Sequence, residues 1–454
     1  MSSRPLVKGV LTLSTASLLV RVMGFIYRVL LVRTAGPEVV GVFQMTSPLL
    51  RLSSALVSLG LPIALSKTVA ESLTKRDTAR IRRSFKASFT VVLANSLIAT
   101  AIILLGARVL SERILPDSRT RLAVMTIPLS LVFMSTSGIL RGYFHGYRNA
   151  TPPATAQVME QLVRIAVTAS LTTRIANAPV ESAAAVIMLA LGVGEMAGFA
   201  TLIAFRIAQG RSESHSRATV EIRPRDTRQS SFTIVSELLS VSLPLTAVGF
   251  VSSISSTVDA MVIPRRLLIA GCDSSEAAVL FGRLSGMAMP VVFLPGLIVF
   301  PIATMLLPEV AASAASGDTS VLKRRLKQVL LWTSGLTVAM SLAMPVAARP
   351  ISMILYGTDE AVKLIAWYAP AVPFLYIGYV LGSALNGLGK TKVVLISTVA
   401  GTLLHFAVLC YTVAIPSINV YGVIIGDTCG FGLSAAINCA ALLAYTRRLA
   451  TKRT

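Results

Sequence analysis

Arg21 and Arg28 stand seven residues apart within one apolar run, and Arg51 lies well inside the next. In a helix that spacing puts Arg21 and Arg28 on one face, about 10 Å apart along the axis. Arg283 lies within the eighth apolar run and Arg164 within the fifth. An arginine at the depth of a bilayer is unfavourable by about 3 kcal/mol on insertion scales, so it faces a cavity, a partner or water. Its planar fork suits a phosphate or pyrophosphate group. The residues therefore predict a water-filled cavity between two lobes, lined by Arg21, Arg28, Arg51 and Arg283. The plainer alternative is snorkelling or structural pairing. Arg164 follows Glu160 by four residues, and for these two an internal i,i+4 structural pair is the simpler account.

Further acids fall in apolar runs: Glu195, Glu237, Asp259 and Asp427. They are the candidates for coupling to H+ or Na+. Glu237 and Asp427 lie toward the inner ends of their helices. Asp259 is close to Arg265 and Arg266, so an outer salt bridge competes with a coupling role there. Glu195 is deeper, within LGVGEMAGFA, where the glycines also suit close helix packing. His145, His215 and His405 are scattered, and the four cysteines have no metal or redox spacing. No phosphate-binding loop, metal cluster or hydrolase elbow is present. The sequence implies no cofactor, no metal and no catalytic constellation.

The elements that carry these residues are membrane helices. The chain is 54% hydrophobic and 14% charged, against roughly a quarter charged in soluble domains. Twelve apolar segments can be placed, at 9–34, 39–66, 84–107, 121–141, 153–174, 182–206, 231–262, 276–308, 328–349, 362–388, 392–413 and 419–445. About 20 residues suffice for a helix to cross the hydrocarbon core, where the backbone must satisfy its own hydrogen bonds. The first segment starts like a signal peptide but is too long and contains Arg21 and Arg28, so it reads as a retained helix. The eighth carries Pro290, Pro295, Pro301 and Pro308 and should be bent or broken. Gly60 and Pro62 should loosen the second.

With both termini inside, alternate loops collect the majority of the 42 Lys and Arg residues, which is the positive-inside bias of a cytoplasmic membrane protein. The net charge of +22 thus reflects orientation and anionic membrane lipid rather than nucleic acid. The longest polar stretch, 207–230, reads as a cytoplasmic linker between a six-helix lobe at 1–206 and another at 231–454. LPIAL at 61–65 recurs as FPIAT at 300–304, and FHGYRNATPP at 144–153 resembles LNGLGKTKVV at 385–394, both offset by about 240 residues. A duplicated six-helix unit would relate the lobes by a pseudo-two-fold axis along the membrane normal.

The segment VLTLSTASLLVRVMGFIYRVLLVRTAGPEVVGVFQMTSPLLRLSSALVSLGLPIALSKTVAE closely resembles the start of the stage V sporulation protein B family. RGYFHGYRNATPPATAQVMEQLVRI, TVDAMVIPRRLLIAG, FGRLSGMAMPVVFLP and LNGLGKTK extend the resemblance over nearly the whole chain. That family belongs to the multidrug/oligosaccharidyl-lipid/polysaccharide exporter superfamily, with the MATE transporters and lipid II flippases. The resemblance implies a MATE-like fold and an alternating-access transporter of undecaprenyl-pyrophosphate-linked glycan for peptidoglycan or spore cortex. In the lipid II flippase relatives, arginines of helices 1, 2 and 8 line the central cavity. Arg21, Arg28, Arg51 and Arg283 occupy the matching helices. Members of this branch commonly have fourteen helices, so a lipid route built by helices 13 and 14 has no counterpart among the twelve segments.

The leading expectation is a flippase for a lipid-linked anionic glycan, working beside membrane lipids and envelope-synthesis enzymes. One alternative is a cation-coupled multidrug exporter, which would favour an acidic or aromatic cavity. Another is a non-transporting scaffold for envelope-synthesis enzymes, which has no need of intramembrane arginines.

Overall fold

The computed structural model describes residues 4–217, 231–315 and 319–451. Each of the twelve expected segments is helical, and no strand occurs among the described residues. α1 (Arg4–Ser58) contains the first segment and most of the second, joined through Gly36, whose φ of 77° and ψ of 168° kink the helix. α2 (Leu61–Thr74) completes the second after a 42° bend. α3 (Thr78–Val109), α4 (Arg121–Gly146), α5 (Thr151–Ser170), the short α6 (Thr172–Asn177) and α7 (Val180–Arg217) follow. α7 runs beyond the expected start of the linker at 207. The rest of that linker, from 218 to 230, lies outside the described residues.

After α8 (Ser231–Ile269) the eighth segment is broken, as its prolines foretell. It consists of α9 (Ser274–Gly282), a π-turn at Arg283–Ala288, α10 (Met289–Val292) and α11 (Gly296–Ala315), with a 58° bend. α12 (Thr319–Tyr356) is continuous. The tenth segment is also divided, into α13 (Val362–Tyr368) and α14 (Ala371–Gly387), which meet at 48° beside Pro370. The chain ends in α15 (Thr391–Thr412) and α16 (Tyr421–Thr451). Among the described residues, six helices are individually long and apolar enough to cross a membrane, and three bent pairs qualify jointly. Large apolar side chains stand open on these helices, such as Leu105 at 88% and Val346 at 82% exposure, which water would not favour but lipid does.

Packing divides the chain into two compact units whose boundaries differ from 1–206 and 231–454. The first comprises 1–35 and 42–260, the second 36–41 and 261–454. Hydrogen bonds explain why residues 231–260 go with the first. The Ser242 hydroxyl donates to the Leu59 carbonyl at 2.8 Å, and the Thr257 hydroxyl donates to the Pro48 carbonyl at 3.1 Å. The first of these satisfies a carbonyl at the break between α1 and α2, where Leu59 and Gly60 both have positive φ. In a bilayer a freed backbone group needs such a partner. Within the first unit α4 packs against α2, α3 and α7, and α7 also covers α5. Within the second, α14 and α15 pack on α16, and α11 and α12 pack on α14.

The start of α9's π-turn is fixed by a backbone contact. A Cβ built at Gly282 would lie 1.8 Å from the Pro37 carbonyl oxygen, within the second unit. Gly282→Ala is expected to destabilise the protein by about 1–3 kcal/mol, because the clash is with backbone that cannot swing aside. Thermal melting in detergent checks this, and an unchanged melting temperature would contradict the packing described.

Candidate functional site

The arginines of the first unit lie on the kinked pair of helices in α1. Tyr27 and Leu31, one turn apart, are buried at 6% and 2% exposure and turn one face of the helix inward. Arg21 and Arg28 have exposed side chains, as does Arg51 further along α1. Arg28 is near enough to Arg51 to act on it electrostatically. Arg51 Nη1 approaches the Ser47 hydroxyl at 3.4 Å, and Ser47 donates to Gln44 at 3.1 Å. Ser54 pairs with Ser135 of α4 at 3.2 Å, anchoring this stretch to the unit's core. The arrangement is cationic, hydrogen-bonding and accessible, within helices whose composition belongs in lipid. Two neighbouring guanidinium groups can hold an anion of more than one charge.

Behind this face lies a group of four charges, with Glu195 buried and Arg141, Glu160 and Arg164 partly buried. Arg164 Nη2 is 2.6 Å from Glu160 Oε1, in the i,i+4 geometry of one helix. Arg141 of α4 takes the other oxygen of Glu160 at 2.9 Å. Arg164 Nη2 also lies 3.4 Å from Glu195 Oε1 of α7. The side chains of Glu195 and Arg164 are 7% and 14% exposed. Glu195 Oε2 has no hydrogen-bond partner. α7 comes close to α5 at Gly194, where a Cβ would stand 2.8 Å from the Glu160 carbonyl oxygen. Small residues allow that approach, and the approach brings Glu195 to Arg164.

The buried charges also hold α1. The Arg164 guanidinium sits 6.0 Å from the Tyr27 ring centroid, and Thr168 donates to the Tyr27 hydroxyl at 3.4 Å. Gln161 Nε2 donates to the Met23 carbonyl at 3.4 Å. The stretch carrying Arg21 and Arg28 is thus positioned by α5.

Glu237 is elsewhere in the first unit, in an exposed ion pair with Arg80 at 2.6 Å. Asp259 is half-buried on α8. In the second unit Arg283 opens the π-turn and lies 3.1 Å from Glu360 Oε2. π-turns often mark functional positions in helices. Asp427 is largely buried, with the Tyr368 hydroxyl donating to its Oδ2 at 2.8 Å and His405 Nδ1 3.1 Å from its Oδ1.

Sequence reasoning places Arg21, Arg28, Arg51, Glu160, Arg164, Glu195 and Asp427 in the relevant helices. It treats His405 as scattered and gives no role to Arg141, Glu360, Tyr27 or Tyr368. The signal for Arg141 is that it is the last residue of the apolar run 121–141. For His405 it is that, of the three histidines, it alone lies within an apolar run.

Comparisons with known proteins bear on this geometry. A family model described as polysaccharide biosynthesis protein matches residues 6–314, and the MatE model matches 285–412. Stage V sporulation protein B of Bacillus subtilis (strain 168) is 30% identical over 446 residues, covering 97% of this chain and 84% of that protein. Lipid II flippase MurJ of the same organism is 22% identical, over 89% of this chain and 76% of that protein. An inward-facing multidrug resistance MATE family transporter of the MOP superfamily superposes with a TM-score of 0.79, covering 96% of each chain at 13% identity. At that identity the likeness speaks for the fold alone.

Proposed function

Since this chain belongs to the polysaccharide biosynthesis protein family, as a stage V sporulation protein B relative within the multidrug/oligosaccharidyl-lipid/polysaccharide exporter superfamily, we propose that it flips undecaprenyl-pyrophosphate-linked oligosaccharide. It is an all-α multi-pass membrane protein with the MATE fold. Our reading gives it twelve crossings, with both termini in the cytoplasm. The cargo would serve peptidoglycan or spore cortex synthesis.

The observation that carries the proposal is the pair Arg28 and Arg51, exposed on membrane helices and within electrostatic reach of each other. A pyrophosphate brings the charge and acceptor geometry that two arginine forks match. Arg21 lies on the same helix face as Arg28, and we assign it the flanking phosphate or sugar. Arg283 is assigned a separate headgroup contact in the second unit, in exchange with Glu360. The glycan passes while its lipid tail remains in the bilayer, and the bound state opens first to one side and then to the other. The breaks at Leu59–Gly60 and beside Pro295 and Pro370 provide bending points for that change.

Among the four acid candidates we assign ion coupling to Glu195. Its unpartnered, buried Oε2 can take a proton, and protonation weakens its hold on Arg164 and, through Tyr27, on α1. Glu237 is already held by Arg80 at the surface.

The test is transport by the purified protein in vesicles, comparing a fluorescent polyprenyl-pyrophosphate-linked glycan with a cationic dye. Glycan movement across the bilayer well above that in empty vesicles is expected, with little dye efflux. Dye efflux without glycan movement would replace this reading with multidrug export. Movement of neither, in protein that still restores envelope synthesis in cells, would favour the scaffold.

A further inference from the structure

A cavity of 860 Å³ lies between α11 and α12, wholly within the second unit. One wall is Ile298, Ile302 and Leu306 of α11. The facing wall is a single face of α12, formed by Arg325, Gln328, Val329, Trp332, Thr333 and Leu336 at intervals of three and four residues. The guanidinium and amide members gather at one end. Arg325 and Gln328 lie near the start of α12, where Arg324 and Lys327 are also exposed. Beyond them the walls are chiefly apolar. Trp332, at 73% exposure, and Leu331, at 62%, stand open on the rim.

We infer that this groove binds an anionic phospholipid, with one acyl chain between α11 and α12 and its phosphate at Arg325. Length supports that occupant. From Arg325 to Leu336 a helix rises about 16 Å, close to half of a hydrocarbon core of about 30 Å. The groove therefore begins at a headgroup layer and ends near the bilayer midplane, as one leaflet's acyl chain does. A polyprenyl chain is much longer than this groove. Charge supports it as well, because a basic pocket between helices at the membrane surface recruits anionic headgroups, each Lys or Arg strengthening the attraction about fivefold. The site differs from the proposed cargo contacts at Arg21, Arg28, Arg51 and Arg283, and it does not depend on which glycan is carried.

Gly335 supplies the test. It lines the groove, and a Cβ built there meets nothing within 4 Å. A large side chain can fill the space without striking a neighbour at its root. The full-length protein would be purified in detergent and titrated with phosphatidylglycerol, phosphatidylcholine of the same chains, and undecaprenyl phosphate. Native mass spectrometry reads the lipid retained. We expect phosphatidylglycerol to be preferred over phosphatidylcholine about tenfold. Arg325→Gln should reduce that preference about fivefold, and Gly335→Phe should reduce retention of both phospholipids. Melting in lipid-free detergent should match the parent for both variants. If Gly335→Phe melts early, Ile302→Trp on the opposite wall provides the same blockade. Equal retention of the two phospholipids, unaffected by either variant, would mean only annular lipid and would overturn the inference. Displacement of phosphatidylglycerol by equimolar undecaprenyl phosphate would give the groove to the cargo's tail and overturn it equally.

Discussion

Arg51→Ala is expected to reduce glycan flipping in vesicles by roughly ten- to a hundredfold, with protein level and melting temperature unchanged. The magnitude follows from losing one charge-assisted contact to a phosphate, about 1.5–3 kcal/mol. Stability should hold because Arg51 is exposed and its hydrogen bond to Ser47 is long at 3.4 Å. Removing a cation near Arg28 also relieves repulsion. Arg28→Ala should behave alike. Arg51→Lys should fall between, since it keeps the charge and loses the planar fork. Full flipping by both alanine variants would remove the cationic face from the mechanism and leave the family relationship standing.

The buried charges should respond in the opposite way. Arg164→Met is expected to destabilise the protein by about 3–5 kcal/mol, because it leaves carboxylates buried with one arginine between them. Glu160 would keep Arg141, while Glu195 would lose its neighbour Arg164. Combining Arg164→Met with Glu195→Gln should recover part of the loss, since the second change removes the stranded charge. Glu195→Gln alone, which retains shape, should fold and lose its response to an imposed pH gradient while still flipping glycan downhill. A cycle in which the double variant is no more stable than Arg164→Met would contradict the direct pairing. An undiminished pH response in Glu195→Gln would end its coupling role.

Helix positions were legible because lipid enforces long apolar runs. The prolines of 276–308 gave away the break between α10 and α11, and Gly60 with Pro62 gave away the bend before α2. Pro370 offered the same clue for the tenth segment, yet its run of apolar residues reads as continuous. The kink at Gly36 falls where a loop was expected, in the gap between the first two segments, and helix continues on both sides of it. The polar composition after residue 207 reads as linker, although α7 extends to Arg217. Polar residues can continue a helix once it leaves the bilayer, so composition alone marks the end of the membrane rather than the end of the helix.

The candidate site was legible where a charge interrupts an apolar run, as at Arg21, Arg28, Arg51 and Glu195. It was illegible where identity depends on a distant partner. Arg141 meets Glu160 across two helices, and His405 meets Asp427 across another pair. Glu360 sits between helices, where an acid is ordinary, and only the fold brings it to Arg283. Boundaries between units were harder still, since a few hydroxyl contacts from Ser242 and Thr257 tie the start of α8 to the first unit.

The four clustered side chains Arg141, Glu160, Arg164 and Glu195 comprise two cations and two anions when all are ionised. Moved together through a membrane voltage, they carry no net gating charge. One elementary charge crossing 100 mV exchanges about 2.3 kcal/mol with the field, so this balanced group adds little electrical work to a shift of the first unit and leaves any gating charge to Arg21, Arg28 and Arg51. A single proton on Glu195 breaks that balance by one unit, adding one elementary charge to what the same motion carries through the field.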